Sequence, residues 1–194
     1  MNQTFIYDAI RTPRGRAKPE GGLADISPLK LLSILYKEIQ RRNQLDPIWV
    51  EDVILGCVSQ VNEQGGNIAK ASLMYAGWPD SVPGMSVNRF CSSGLDAINI
   101  GVMKILAGQA SCVVTGGIEM MSRVPMLSDK AVMFTDANVA LSSRMLMMGS
   151  GADLIASDYG ISREALDKLA YKSQQKATKA TREGFFKSII PIYN

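Results

Sequence analysis

Short apolar segments alternate with helical patterns along the chain up to Gly117. Four of these segments are predicted strands, at residues 4–9, 53–58, 85–88 and 112–115. Apolar strands that alternate with helices are typical of a parallel sheet covered by helices on both faces. The sequence therefore predicts a layered α/β fold with a mostly parallel central sheet.

Capping residues mark where the helices between these strands begin. Ser27 followed by Pro28 is a good helix start, and the apolar face that follows continues to about Arg42. Two further helices are predicted, one over residues 67–76 and one that starts at Cys91 and ends near Gly108.

The pattern changes after Gly117. Residues 118–150 are rich in methionine and serine and have no clear period, which predicts an irregular excursion or the opening of a subdomain. A helix is predicted over residues 152–159, and Ser162 caps a longer helix that ends before Gly184. Residues 188–193 have the composition of a strand that has just begun.

Cys91 is the candidate catalytic residue. It lies between a predicted strand and a predicted helix, where the positive end of the helix dipole favours a thiolate. Cysteine is also among the most often buried residues, so a core role is the competing interpretation for a single thiol. For Cys57 and Cys112, which lie inside apolar strands, we expect that core role.

The chain contains no histidine. Cysteine enzymes usually pair the thiol with a base, most often an imidazole, and these residues cannot supply one. With no histidine and no closely spaced cysteine pair, no metal site is predicted.

Composition excludes several classes of partner. A net charge of +3 and 7% aromatic residues do not favour nucleic acid binding, although a phosphate-bearing ligand is compatible with them. Apolar runs are interrupted well before the roughly 18 residues that a membrane span needs. Three cysteines without framework spacing fit a reducing compartment, so we expect a soluble cytoplasmic protein.

Several motifs resemble those of the thiolase family, in the same order. The nucleophile motif of thiolases resembles residues 88–95, Asn-Arg-Phe-Cys-Ser-Ser-Gly-Leu. Arg11-Thr12-Pro13, residues 116–122, Met148-Gly149 and residues 159–164 match further thiolase segments. The resemblance covers essentially the whole chain.

The resemblance implies a thiolase-like fold of which only part is present. Residues 1–120 would form the first βαβαβαβ half and residues 121–194 the start of the inserted helical loop domain. The C-terminal thiolase domain would be absent, with the Gly-His-Pro loop, the Asn-Glu-Ala-Phe segment and the second reactive cysteine of the family. We therefore expect little activity from this chain alone.

The resemblance also implies acyl transfer between CoA thioesters. Cys91 would carry the acyl group as a thioester, and its backbone N–H would form half of an oxyanion hole. Coenzyme A is then a substrate, and no cofactor is expected. The implied partners are acyl-CoA, CoA, the missing C-terminal half, and further copies in a homodimer or homotetramer.

Residues around the nucleophile have smaller predicted roles. Asn88 and Arg89 are expected to hold the turn by hydrogen bonds, and Glu119 to organise loops as a carboxylate and not as a base. Gly94 either allows close approach of backbone or ligand or is a tolerated helix glycine. Met148 matches a thiolase methionine beside the acyl pocket, and Met147 replaces a histidine common in the family.

The basic residues between 163 and 187 have two interpretations. They either attract the CoA phosphates or form a solvated helix face with i,i+4 pairs. For the chain as a whole, the alternative to an enzyme half is a thiolase-like piece that binds CoA or supports assembly without turnover. A decarboxylating condensing enzyme of the same superfamily is the third option.

Overall fold

The structure is a computed structural model that describes residues 3–193. It divides into two compact units. The first holds the residues up to Asp129 together with those from Ser188 onward, and the second holds Lys130–Lys187. The family-based domain boundary between residues 120 and 121 stays a prediction.

A three-stranded parallel sheet forms the centre of the first unit. Its strands are β1 (Asp52–Gly56), β2 (Gly84–Val87) and β3 (Val113–Gly117), in the order β2-β1-β3. In the register, Val53 lies opposite Gly84 on one side and Val114 on the other. Every residue of β1 is buried, as expected for a central strand. The predicted α/β class and parallel sheet are confirmed.

Three helices cover the sheet: α1 (Pro28–Asn43), α2 (Ile68–Ala76) and α3 (Ser93–Leu106). The Ser27 hydroxyl accepts a hydrogen bond from the backbone N–H of Lys30 at 3.2 Å and caps α1 as predicted. Short 3-10 turns at Pro47–Trp49 and Asn62–Gln64 lie in the loops on either side of β1.

Alternation along β1 assigns its side chains to the two faces of the sheet. Val53 and Leu55 join the apolar cluster built with α1 and α2, together with Cys57 just after the strand. Gly56 instead faces α3, because a Cβ built on Gly56 would lie 2.3 Å from the carbonyl carbon of Ser93. Helices therefore cover both faces.

Tyr36 anchors α1 in the apolar cluster. Its ring lies 5.0 Å from that of Trp78, and its hydroxyl is 2.9 Å from the hydroxyl of Ser72 on α2. Burial raises the pKa of Tyr36 to about 12.

The predicted strand at residues 4–9 is wrong. Residues 3–10 belong to no strand, and Ile6 and Tyr7 are 78% and 88% exposed. An apolar segment becomes a strand only when a second strand takes up its backbone hydrogen bonds. Here a single parallel bridge joins Arg11 to Ile189, so the predicted strand at residues 188–193 is also reduced to one pairing.

The second unit is helical. It contains α4 (Val132–Thr135), α5 (Ala137–Ser142), α6 (Met148–Asp158) and α7 (Arg163–Arg182). The Ser162 hydroxyl caps α7 at the backbone N–H of Ala165, as predicted. The segment predicted to be irregular thus holds two short helices, and α6 begins at Met148, earlier than expected. No helix within residues 3–193 combines the length and the apolarity needed to cross a membrane.

We expect Gly56→Ala to destabilise the first unit by about 3 kcal/mol or more, because the added methyl group would overlap the backbone of Ser93 and Gly94. Urea unfolding measures this loss. Gly22→Ala is the matched control, since a Cβ at Gly22 meets no atom within 4 Å. Equal stability of the two variants would contradict the close packing of β1 against α3.

Candidate active site

Cys91 lies in the turn that joins β2 to α3, and its side chain is exposed. The first helical residue is Ser93 and the N-cap is Ser92. The predicted helix start at Cys91 is therefore two residues too early. The reason is the backbone at Phe90, whose φ of 49° lies in the left-handed region. A right-handed helix requires negative φ at each residue, so α3 begins only after this turn.

Two polar side chains hold Phe90 in that conformation. The Asn88 side-chain oxygen accepts a hydrogen bond from the Phe90 N–H at 2.8 Å. The Ser93 hydroxyl accepts from the Arg89 N–H at 2.8 Å and donates to the Phe90 carbonyl at 2.5 Å. Left-handed backbone is unfavourable for a bulky residue, so these bonds hold the chain in a conformation that Phe90 would not adopt by itself.

Asn88 and Arg89 both have the turn-holding role predicted for them. The Asn88 amide donates to the carbonyl of Val58 at 3.2 Å and so ties the turn to the segment after β1. The Arg89 guanidinium pairs with Asp96 in the first turn of α3. The Arg89 side chain is largely exposed, so its ion pair with Asp96 contributes little to stability.

Glycines beneath the turn bring backbones into direct contact. Gly56 lies against Ser93 and Gly94, and a Cβ at Gly117 would lie 2.9 Å from the Gly56 carbonyl oxygen. A Cβ at Gly94 would meet only the Gly116 carbonyl oxygen, at 3.9 Å. Packing within this chain therefore requires glycine at Gly56 and leaves open space beside Gly94.

Glu119 organises the neighbouring loops, as predicted. Its carboxylate accepts hydrogen bonds from the backbone N–H groups of Val58 and Ser59 at 2.8 and 3.3 Å. It also accepts from the side-chain amide of Gln64 at 2.9 Å. Sequence reasoning missed Gln64, because a glutamine in a polar run before Gly65 and Gly66 carries no signal of burial.

The other two cysteines lie in less accessible surroundings. Cys57 is buried in the apolar cluster, and burial, with a smaller effect of the Glu119 charge, raises its pKa to about 12. Cys112 is half-buried against the same cluster, and burial and then Glu51 raise its pKa. Both observations agree with the core role expected for these thiols.

The sequence model of the thiolase N-terminal domain matches residues 4–194. The chain belongs to the thiolase family. It is 39% identical to the 3-ketoacyl-CoA thiolase of Bacillus subtilis over 99% of this chain and 49% of that protein. It is 36% identical to the beta-ketoadipyl-CoA thiolase of Pseudomonas putida over 99% of this chain and 52% of that protein.

A solved thiolase-family structure has the same fold. The acetyl-CoA acetyltransferase of Bacillus anthracis superposes on the whole chain with a TM-score of 0.83 and 30% sequence identity, and the match covers 52% of that protein. The chain thus spans about half the length of the relatives it matches. The fold and the family suggested by the sequence motifs are confirmed.

The thiolase motif residue Met148 is the first residue of α6, in the second unit, and is 66% exposed. Its predicted place beside an acyl pocket stays a prediction. On α7, Arg163 pairs with Asp167 and Lys179 with Glu183, both at i,i+4 spacing. For these two basic residues the pairing matches a solvated helix face.

We expect iodoacetamide to modify Cys91 before Cys57 and Cys112. Only Cys91 is exposed, and the raised pKa values of the other two leave little thiolate near neutral pH. Peptide mass spectrometry of a time course measures the three rates. Cys91→Ser should remove the fast modification, and similar rates at all three cysteines would contradict the assignment.

Proposed function

We propose that this chain supplies the nucleophile of an enzyme that transfers acyl groups between CoA thioesters. The observation that carries the proposal is the exposed Cys91 on a braced turn at the start of a helix, within a thiolase-family chain. The relatives' names support the substrate class, because the chain is similar to proteins named 3-ketoacyl-CoA thiolase and acetyl-CoA acetyltransferase.

In the degradative direction, the Cys91 thiolate attacks the keto carbon of a 3-ketoacyl-CoA. The bond between that carbon and the α-carbon breaks, and its electron pair leaves with the acetyl-CoA enolate, which then takes up a proton. The acyl group remains as a thioester on Cys91 and passes to the thiol of a second CoA. The reverse sequence is a Claisen condensation. Cysteine suits both directions because its thiolate is nucleophilic and its thioester stays reactive.

The oxyanion-hole donor and the proton acceptor would come from different parts of the protein. The backbone N–H of Cys91 precedes the first helical residue and would donate to the thioester oxygen as half of an oxyanion hole. The proton acceptor must come from outside these 194 residues if it is an imidazole, because they include no histidine. We propose that the C-terminal half found in the relatives supplies it, in a cytoplasmic homo-oligomer, with CoA as substrate and no cofactor.

A second candidate is a thiolase-like piece that binds CoA or supports assembly without turnover. It draws on the basic residues of α7, among them Lys168, Lys172 and Lys176, which could attract the phosphates of CoA. In that case CoA would bind while Cys91 stayed unmodified, so covalent labelling separates the two candidates.

Acetyl-CoA should transfer its acetyl group to Cys91, in the presence of a chain that supplies the C-terminal thiolase half. We expect the acetyl mass on the peptide that contains Cys91, because only this thiol is exposed. Cys91→Ser is the control and should remain unlabelled. Binding of CoA without a thioester at Cys91 would support the non-catalytic candidate and contradict the proposed enzyme.

Without such a partner, we expect thiolysis of a 3-ketoacyl-CoA to be about a hundredfold to ten-thousandfold slower, which is the usual loss when a general base is missing. The release of acetyl-CoA measures the rate with and without the C-terminal half. Equal rates in the two conditions would contradict the need for an external base.

A further inference from the structure

The buried Gln64 and the partly buried Glu119 form a hydrogen-bonded group with the loop after β1. Gln64 has no exposed surface, and its amide makes hydrogen bonds on both sides. The Gln64 nitrogen donates to Glu119 and to the carbonyl of Ser59, both at 2.9 Å, while its oxygen accepts from the N–H of Met120 at 2.5 Å. These partners fix which way the amide points, since one end must donate and the other accept.

A continuous series of hydrogen bonds leads from this group to the turn. Glu119 accepts from the Val58 N–H at 2.8 Å, and the Val58 carbonyl accepts from the Asn88 side chain at 3.2 Å. The Asn88 side-chain oxygen then accepts from the N–H of Phe90, the residue before Cys91. The series thus connects Glu119 to the turn before Cys91 through the backbone of Val58 and the side chain of Asn88.

We propose that Glu119 and Gln64 are positioning residues, which hold the turn before Cys91 through Val58 and Asn88. The inference rests on the proposed role of Cys91 as acyl acceptor. Neither Glu119 nor Gln64 is proposed to contact Cys91, and both would act on it only through the turn.

The donors around Glu119 explain why a carboxylate is needed. Three N–H groups, from Val58, Ser59 and Gln64, converge on its two oxygens. A glutamine at this position has one oxygen, and its NH₂ group would face at least one of these donors. Glu119→Gln therefore leaves at least one of these N–H donors unpaired and weakens the hold on the segment to which Asn88 bonds.

The test measures whether the effect of Glu119 on Cys91 passes through Asn88. The rate constant for alkylation of Cys91 by iodoacetamide is measured in a double-mutant cycle. Its four proteins are the unchanged 194-residue chain, Glu119→Gln, Asn88→Asp, and the variant that carries both substitutions. Aspartate keeps an acceptor for the Phe90 N–H and removes the donor to Val58. Two changes that act in series on one path are not additive.

With Asn88 present, we expect Glu119→Gln to slow alkylation of Cys91 by about twofold to fivefold, the rate equivalent of the stabilisation that a charge gains at a helix N-terminus. With Asp at position 88, Glu119→Gln should cause no further change. The same fold-change in both backgrounds, or no change in either, would overturn the proposal.

Gln64→Met is a second variant that tests the same series of hydrogen bonds if Glu119→Gln folds poorly. It should show the same dependence on Asn88, because it removes the Gln64 bonds to Glu119 and Met120. Tyr36→Phe is the control for loss of a buried hydrogen bond elsewhere, between α1 and α2, and should leave the Cys91 rate unchanged. A slower rate in Tyr36→Phe would show that general destabilisation, and not the path through Asn88, sets the rate.

The alkylation rates of Cys91 can be measured whether or not acyl transfer occurs. If acetyl-CoA never modifies Cys91 while the effect of Glu119→Gln depends on Asn88, the proposed function fails and the positioning role stands. If acetylation occurs without coupling, the positioning role alone is refuted.

Discussion

The backbone contact between β1 and the start of α3 determines the geometry of the whole site. At Gly56 the strand approaches Ser93 and Gly94 so closely that no Cβ fits between them. Backbone cannot yield as a flexible side chain does, so this contact fixes where α3 begins on the sheet. The turn that carries Cys91 lies between β2 and α3, and both of its ends are therefore held by the same sheet.

Two kinds of support then act on the turn. The Ser93 hydroxyl and the Asn88 amide hold Phe90 in left-handed backbone from within the turn, while Glu119 and Gln64 hold the segment after β1 to which Asn88 bonds. The result is a thiol at a helix start that is exposed, in a chain whose other two thiols have raised pKa values. Thiolase-family membership gives this arrangement its proposed chemistry, acyl transfer between CoA thioesters.

Sequence patterns predicted the parts of the fold that local physics controls. The apolar run at β1 and the caps Ser27 and Ser162 predicted elements that the structure contains. The strand at residues 4–9 failed, because its formation depends on a partner strand and not on its own apolar residues. The predicted start of α3 was two residues too early, because the sequence pattern did not show the left-handed backbone at Phe90. Gln64 was missed because the burial of a polar side chain depends on partners that are distant in sequence.

The reactivity of Cys91 in the folded chain, compared with the chain unfolded in urea at the same pH, tests most directly whether the fold prepares this thiol for attack. In the folded chain Cys91 is exposed and Cys57 is buried, whereas unfolding exposes both thiols. We expect iodoacetamide to react faster with Cys91 than with Cys57 in the folded chain and at similar rates with the two in the unfolded chain. A folded chain in which Cys91 reacts no faster than Cys57 would contradict its assignment as the nucleophile.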